Sequence, residues 1–233
     1  MGTFPQKKAT KGSQKWLQIV VNETPELLSG PIKSSFGLSP NLEIEWLSPI
    51  ETNDFAEYRD EEFLEKLGIA GLDTPLTQFW PKGGPQWDAL GRVSEKGPYF
   101  LVEAKANIPE IISSCQAESA ESLMLIEKSL QTVQNYLGCE PLVNWSAGFY
   151  QYANRIAHLY FLRTINSKEA FLVFIYFLND TTHIPINKQS WRGALNLQKR
   201  LMGLTKHKLQ KFIAEIFIDT IQIKGQRASG LEI

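Results

Sequence analysis

The chain has 233 residues, of which 43% are hydrophobic and 21% charged, and its formal net charge is −1. This length and composition allow one sizeable core and exclude a chain too polar to fold. The nearly neutral charge argues against a protein that coats nucleic acid through a broadly basic surface. We expect one α/β domain over residues 16–233, preceded by a short tail.

The longest apolar run, Ala170 to Leu178, is about half of what a helix needs to cross a bilayer. The N-terminal lysines precede no apolar signal segment. Cys115 and Cys139 form no CxxC motif, and the three histidines are scattered. The sequence therefore predicts a cytoplasmic protein without a membrane partner, organised by neither a disulfide nor a zinc site.

The first half of the chain alternates short apolar segments with polar ones. Residues 1–15 carry four lysines among small and polar residues and predict a flexible basic tail. Residues 16–22 (WLQIVVN) and 42–47 predict strands. Residues 54–67 predict a helix that Asn53 or Asp54 caps and Gly68 ends. After the turn cluster PKGGP at 81–85, residues 86–93 and 98–106 predict a hairpin.

The second half is richer in helical patterns. Residues 121–137 and 146–165 predict long helices, and residues 171–178 predict a strand buried on both faces. Residues 190–202 and 208–217 predict further helices, although the β-branched content of residues 216–223 also fits a terminal strand. This order predicts a mixed central sheet flanked by helices, with extra helices at the C-terminal end.

Two charged residues interrupt the apolar strand over residues 99–106. Period-two alternation places Glu103 and Lys105 on one face, with Ala104 between them on the other. The predicted hairpin brings Asp88 beside Glu103, and two carboxylates about 4 Å apart repel by roughly 4 kcal/mol at an effective dielectric of about 20. A divalent cation reverses that repulsion, and carboxylates are ligands that Mg²⁺ accepts.

An Asp, a variable gap and then Glu-x-Lys on the next strand resemble the signature of the PD-(D/E)xK phosphodiesterase superfamily, which is also called restriction-endonuclease-like. Here Asp88 and Glu103-Ala104-Lys105 occupy those places, and Trp87 stands where the superfamily pattern has proline. The resemblance covers residues 54–178 and implies the restriction-endonuclease-like fold over that core.

The resemblance implies a nuclease or related phosphodiester hydrolase. Asp88, Glu103 and the carbonyl of Ala104 would hold Mg²⁺ or Mn²⁺, and Lys105 would orient or activate the attacking water and offset phosphate charge. The superfamily often adds an acidic residue from its first core helix, for which Glu57 is our first choice and Asp60 the second. Nucleic acid is the implied partner, and a homodimer is an implied assembly.

A second polar stripe lies on the helix predicted over residues 146–165. Gln151, Asn154, Arg155 and His158 recur at i, i+3, i+4 and i+7 and share one side. The stripe is either an ordinary solvated edge or the wall of a cleft in which Gln151, Asn154 and Arg155 bind substrate phosphates. The superfamily's helical glutamine favours the second interpretation for Gln151, while we assign His158 no catalytic role.

The charges are segregated along the chain. Residues 43–65 hold nine acidic residues and one basic residue, whereas residues 188–211 hold seven Lys or Arg and no acidic residue. Each run is consistent with a solvated helix face, and the basic run could also supply nonspecific phosphate contacts.

Three hypotheses follow from these patterns. The first is a Mg²⁺-dependent nuclease, and the second is a non-catalytic nuclease-like module that binds nucleic acid or protein. The third is a structural charge cluster in an unrelated α/β fold, which a hairpin that keeps Asp88 away from Glu103 would establish.

Overall fold

The computed structural model describes residues 2–229, and for residues 226–229 it describes the backbone alone. The elements follow one another along the chain as β1 (Thr3–Phe4), α1 (Gly12–Glu23), α2 (Glu26–Phe36), β2 (Glu45–Ser48), β3 (Glu57–Tyr58), α3 (Asp60–Leu67), α4 (Leu76–Phe79), β4 (Ala89–Arg92), β5 (Tyr99–Lys105), α5 (Ala120–Leu137), α6 (Tyr150–Tyr160), β6 (Ala170–Leu178), α7 (Lys188–Leu201), β7 (Ile213–Asp219) and α8 (Thr220–Ser229).

Five strands form the central mixed sheet in the order β2-β4-β5-β6-β7. The pairs β2–β4 and β4–β5 are antiparallel, whereas β5–β6 and β6–β7 are parallel. The chain between β5 and β6 carries α5 and α6, as a parallel pair requires a long crossover. β1 and β3 form a separate two-stranded sheet.

Alternation along β5 divides the core between the two faces of the sheet. Tyr99 and Leu101 pack in one cluster with residues of α3, α5, α6 and α7. Phe100, Val102 and Ala104 pack in a second cluster with α1 and α2. The fold is therefore α/β, with a mixed sheet flanked by helices and with the further helices α7 and α8 after β6, as the sequence predicts.

The hairpin and the long second-half elements are confirmed. β4 and β5 pair through Ala89 with Val102 and Arg92 with Tyr99, within the ranges that the pattern predicts. α5, β6 and α7 also lie within two residues of their predicted bounds. The predicted helix over residues 146–165 begins at Tyr150 and ends in a π-helical turn over Phe161–Ile165. β2 takes the place of the strand predicted over residues 42–47.

The N-terminal predictions are wrong. Residues 16–22 lie in α1, not in a strand, because their apolar side chains pack on the sheet and that burial outweighs β-branched propensity. Residues 2–15 do not form a flexible tail, because β1 pairs with β3 and α1 starts at Gly12. Met1 lies outside the described residues.

The helix predicted over residues 54–67 begins only at Asp60. Asp54 and Phe55 both have positive φ, near 47° and 48°, so the backbone is left-handed at the predicted start of the helix. Glu57 and Tyr58 instead form β3. Near the C-terminus, residues 213–219 form β7 beside β6, so the helix predicted over residues 208–217 is wrong and the alternative of a terminal strand is right for residues 216–219.

Within residues 2–229, no helix combines the length and the apolar character that a membrane span requires.

Candidate functional site

The β4–β5 hairpin brings Asp88 next to Glu103. The pairing of Ala89 with Val102 leaves Asp88 one residue beyond β4, on the side where β5 continues. The backbone N–H of Ala104 donates to Asp88 Oδ2 at 2.7 Å. The side chain of Asp88 thus accepts the β5 hydrogen bond that lies just beyond the end of the β4–β5 pairing. The condition that would establish an unrelated charge cluster, a hairpin that separates the two residues, is not met.

Glu103 is a buried carboxylate held by two cations. Only 3% of the residue is exposed. Lys105 Nζ donates to its Oε1 at 2.5 Å, and Arg155 Nε donates to its Oε2 at 2.7 Å. Burial alone would raise the pKa of Glu103, but Arg155 and Lys105 outweigh it and bring the pKa below its ordinary value. Glu103 is therefore ionised at neutral pH.

Asp88 lies in a less compensated environment. Burial and then the charge of Glu103 raise its pKa well above the ordinary value, and Lys105 offsets only part of this effect. Its second oxygen, Oδ1, is not the one that accepts from Ala104. With Asp88 ionised, this part of the site would carry an excess of negative charge, which a cation would relieve.

Glu57 lies beside these two carboxylates, although it reaches them from a strand. Its carboxylate accepts from the amide of Gln86, from Gln14 Nε2 at 3.2 Å and from Gln6 Nε2 at 3.5 Å. Burial raises the pKa of Glu57, in opposition to the hydrogen bonds from Gln86 and Gln14. The N-terminal segment therefore contributes two of the three amides that hold this carboxylate.

Trp87 ties the strand of Glu57 to the hairpin. Its backbone N–H donates to the carbonyl of Tyr58 at 2.9 Å. Proline, which the superfamily pattern has at this position, lacks an N–H and could not make that bond. The backbone N–H of Trp87 thus helps to position β3, and with it Glu57, next to the hairpin.

Asp60, our second choice for a helical acid, has a different role. Its carboxylate accepts from the backbone N–H groups of Gly83, at 3.1 Å, and Gly84, at 2.9 Å. These contacts fix the loop over residues 81–85, one wall of the site. Asp60 positions that wall.

The polar stripe on α6 faces inward. Gln151 Oε1 accepts from Lys105 Nζ at 2.9 Å. Arg155 is buried, donates from Nη2 to the carbonyl of Gln86 at 2.7 Å and from Nη1 to Asn154 Oδ1 at 3.0 Å, and lies 4.8 Å from the centre of the Trp87 ring. The interpretation of this stripe as a solvated edge is wrong, since Asn154 and Arg155 are both at most 5% exposed.

His158 belongs to the core below the site. Its ring lies 5.1 Å from that of Trp80 and about 6.1 Å from those of Phe63 and Trp87. Nδ1 donates to the carbonyl of Asn154 at 2.8 Å. Burial lowers the pKa of His158 to about 3, so the ring is neutral and packs as an aromatic group.

Several of the side chains described above line a cavity of about 660 Å³. Loops over residues 81–86 and 113–118 contribute to its walls, together with the beginnings of α5 and α6. Its lining includes most of the site residues predicted from the sequence, namely Glu57, Asp88, Glu103, Lys105, Gln151, Asn154 and Arg155. Among its described lining residues, none comes from the basic segment 188–211.

No protein-family model, curated protein or solved structure matches the chain. Within residues 2–229, no three or more His, Cys, Asp or Glu side chains are grouped so as to hold a metal ion between them.

Sequence reasoning missed several residues of this site. Gln86 could have been found, because it stands two positions before Asp88 and shares its alternation. Gln6 and Gln14 carry no such signal, since their approach to Glu57 depends on the pairing of β1 with β3 and on the position of α1. Tyr150, which lines the cavity at the start of α6, also had no distinguishing pattern.

Proposed function

We propose that this protein is a Mg²⁺- or Mn²⁺-dependent phosphodiesterase of the PD-(D/E)xK type that hydrolyses nucleic-acid backbone bonds. The observation that carries the proposal is the convergence of Asp88, Glu103 and Lys105 at the open end of the β4–β5 hairpin, inside a cavity. The relation to that superfamily is part of the proposal and rests on these residues and on the α/β order of elements.

The donor set suits a hard divalent cation. Asp88 and Glu103 supply carboxylate oxygens. In an extended strand the N–H and C=O of one residue point the same way, so the carbonyl of Ala104 faces the side on which its N–H meets Asp88. Mg²⁺ needs only one or two carboxylates, completing its coordination with water and phosphate, so a cluster of three acidic side chains is not required.

The chemistry that such an ion supplies is Lewis-acid stabilisation of the phosphoryl oxygens and a lowered pKa for bound water. Ionised Glu103 and partly uncompensated Asp88 supply the negative charge that retains it. Lys105 or Arg155 must release an oxygen of Glu103 for that oxygen to become a ligand, because both contact this carboxylate.

Lys105 acts as a cation in this mechanism. Burial would lower its pKa, but Glu103 and then Asp88 outweigh burial and raise it above the ordinary value. A lysine that keeps its proton orients water and offsets phosphate charge, and it does not remove a proton from the nucleophile. Gln151, which accepts from Nζ, positions the ammonium group.

Arg155 is a positioning residue. Its guanidinium is buried against Glu103, the carbonyl of Gln86 and the Trp87 ring, so its bonds are directed at protein groups. It fixes the carboxylate and the residue before Trp87 relative to each other. We therefore assign phosphate contact to Lys105 and Gln151 rather than to Arg155.

The second candidate function is a nuclease-like module that binds nucleic acid or protein without hydrolysis. One observation favours it: the two oxygens of Glu103 are already bonded to Lys105 and Arg155. A site so compensated could persist without a metal ion. Cleavage assays separate the two candidates.

The test is cleavage of single- and double-stranded DNA and RNA by the purified protein with Mg²⁺, with Mn²⁺ and with chelator. We expect metal-dependent cleavage that falls on the order of 100-fold or more in Asp88→Asn and Lys105→Ala. Lys8→Ala, whose salt bridge to Glu51 is exposed, is the matched control and should retain activity. Equal background cleavage by all four proteins, or none by a folded wild type, would reject hydrolysis.

A further inference from the structure

The part of the cavity wall formed by the 113–118 loop and the start of α5 carries four neutral hydrogen-bonding side chains. Ser113, Ser114 and Gln116 lie on one loop, and Ser122 follows at the start of α5. Gln116 Nε2 already donates to Ser114 Oγ at 2.9 Å, yet Gln116 remains exposed. Such groups can both donate and accept, as do the edges of unpaired nucleobases.

The charges that line the cavity do not favour a long polyanion. Among the described lining residues, Glu57, Asp88, Glu103 and Glu118 are acidic and Lys82, Lys105 and Arg155 are basic. Lys105 and Arg155 are paired with Glu103. A protein that grips duplex DNA typically neutralises about 6–10 phosphates, and this lining offers far fewer cations.

The reacting groups also lie deep. Glu103 is 3% exposed and Glu57 is 7% exposed, and Asp88 is half-buried. A scissile phosphate must enter a cavity of about 660 Å³ to reach them. A paired strand would have to bring its complement into the same space, whereas an unpaired strand would not.

An aromatic ring lines the same cavity. Tyr150 is half-buried and stacks on Trp80, with ring centres 6.4 Å apart and an interplanar angle of 26°. Trp80 lies beneath it in the core, at 2% exposure, and supports the tyrosine ring. Stacking on aromatic rings is how proteins hold unpaired bases irrespective of their sequence.

We infer that the substrate of this site is an unpaired nucleic-acid strand, whose bases stack on Tyr150 and contact the serine and glutamine wall. This inference rests on the proposed function for the cutting step, but binding can be tested apart from cutting. DNA and RNA share the chemistry of bases and phosphates on which the inference depends, so both are arms of the test.

Binding is measured first, by fluorescence anisotropy of short labelled DNA and RNA oligonucleotides, alone and annealed to complements. The protein is full-length Asp88→Asn, which binds without cutting under the proposed mechanism. We expect the unpaired strand to bind at least about tenfold more tightly than the duplex. Tyr150→Leu should lose about tenfold in that affinity, whereas Tyr150→Phe keeps the ring and should bind like its parent.

Gln116→Ala provides a variant that does not disturb the core, since Gln116 is exposed. We expect it to weaken single-strand binding several-fold without changing the melting temperature. If Tyr150→Leu does not fold, the pair formed by Gln116→Ala and its parent still tests the wall.

Cleavage by the wild type with Mn²⁺ is measured on the same oligonucleotides. Preferential binding and cutting of unpaired strands supports the inference. Equal or better binding and cutting of duplex overturns it and leaves the proposed function standing. Preferential binding of unpaired strands without cutting of any substrate rejects the proposed function but supports the inference that an unpaired strand binds in this cavity. Binding of neither form rejects both.

Discussion

Among the single residues, Asp88 affects stability and proposed activity in opposite directions. Its negative charge lowers the stability of the fold, but the proposed metal site needs that charge. Burial, and then the neighbouring charge of Glu103, raise the pKa of the Asp88 carboxyl well above the ordinary value. An ionised Asp88 therefore destabilises the fold unless a cation is present. Functional sites often carry such a penalty.

Asp88→Asn tests this penalty directly. Asparagine retains an oxygen that can accept from Ala104, while the repulsion from Glu103 disappears. Without divalent ions at neutral pH, we predict that the free energy of unfolding of this variant exceeds that of the wild type by on the order of 1 kcal/mol. Denaturant unfolding measures the difference, with Glu118→Gln at the exposed rim as the control.

The stability difference between Asp88→Asn and the wild type depends on pH. The folded-state pKa of Asp88 lies above its ordinary value of 3.8, so the wild-type carboxyl takes up a proton as pH falls through the raised pKa. The advantage of Asp88→Asn is thus largest above that pKa and shrinks toward acid pH. An equal stability of the two proteins at neutral pH would show that the Asp88 charge is compensated.

Single residues also show where sequence reasoning was sound. Asp88, Glu103 and Lys105 could be placed together, because a hairpin with a short connection is a local structure with period-two geometry. Glu57 was chosen as a helical acid, and it reaches the site from β3. Its position there depends on its pairing with residues more than 50 positions away in the sequence, which no local pattern encodes.

At the scale of elements, the N-terminal segment is part of the site's support. Gly2 donates its backbone N–H to Glu62 Oε1 at 2.6 Å, and Arg59 donates its own to the carbonyl of Gly2 at 2.8 Å. Gln6 reaches the carboxylate of Glu57. The lysines that predict a tail therefore lie in a segment whose Gly2 and Gln6 form hydrogen bonds with residues 57–62.

Deleting residues 2–11 should therefore destabilise the protein. Several hydrogen bonds are lost, each contributing about 1 kcal/mol, so we predict a loss of a few kcal/mol in unfolding free energy. Lys8→Ala removes only an exposed ion pair with Glu51 and should change stability by less than about 0.5 kcal/mol. Thermal or denaturant unfolding compares the two. A deletion variant as stable as Lys8→Ala would mean that the segment only rests on the surface.

At the scale of the whole molecule, the sequence predicts the α/β class and the core of the sheet because β5 and β6 carry long, clear patterns. It fails for α1 and leaves β7 open between helix and strand, because the residues of both elements are apolar enough for either state. α1 becomes a helix because it covers one face of the sheet beside α2, and β7 becomes a strand because it extends the sheet beyond β6. Such choices depend on the completed sheet.

The central claim is that the open end of the β4–β5 hairpin binds a divalent cation, and anomalous X-ray diffraction from crystals grown with Mn²⁺ tests it most directly. We predict one ion at about 2.1 Å from a carboxylate oxygen of Asp88 and from the carbonyl of Ala104, absent in Asp88→Asn crystals. Wild-type crystals with saturating Mn²⁺ and no anomalous signal between Asp88 and Glu103 would contradict the account.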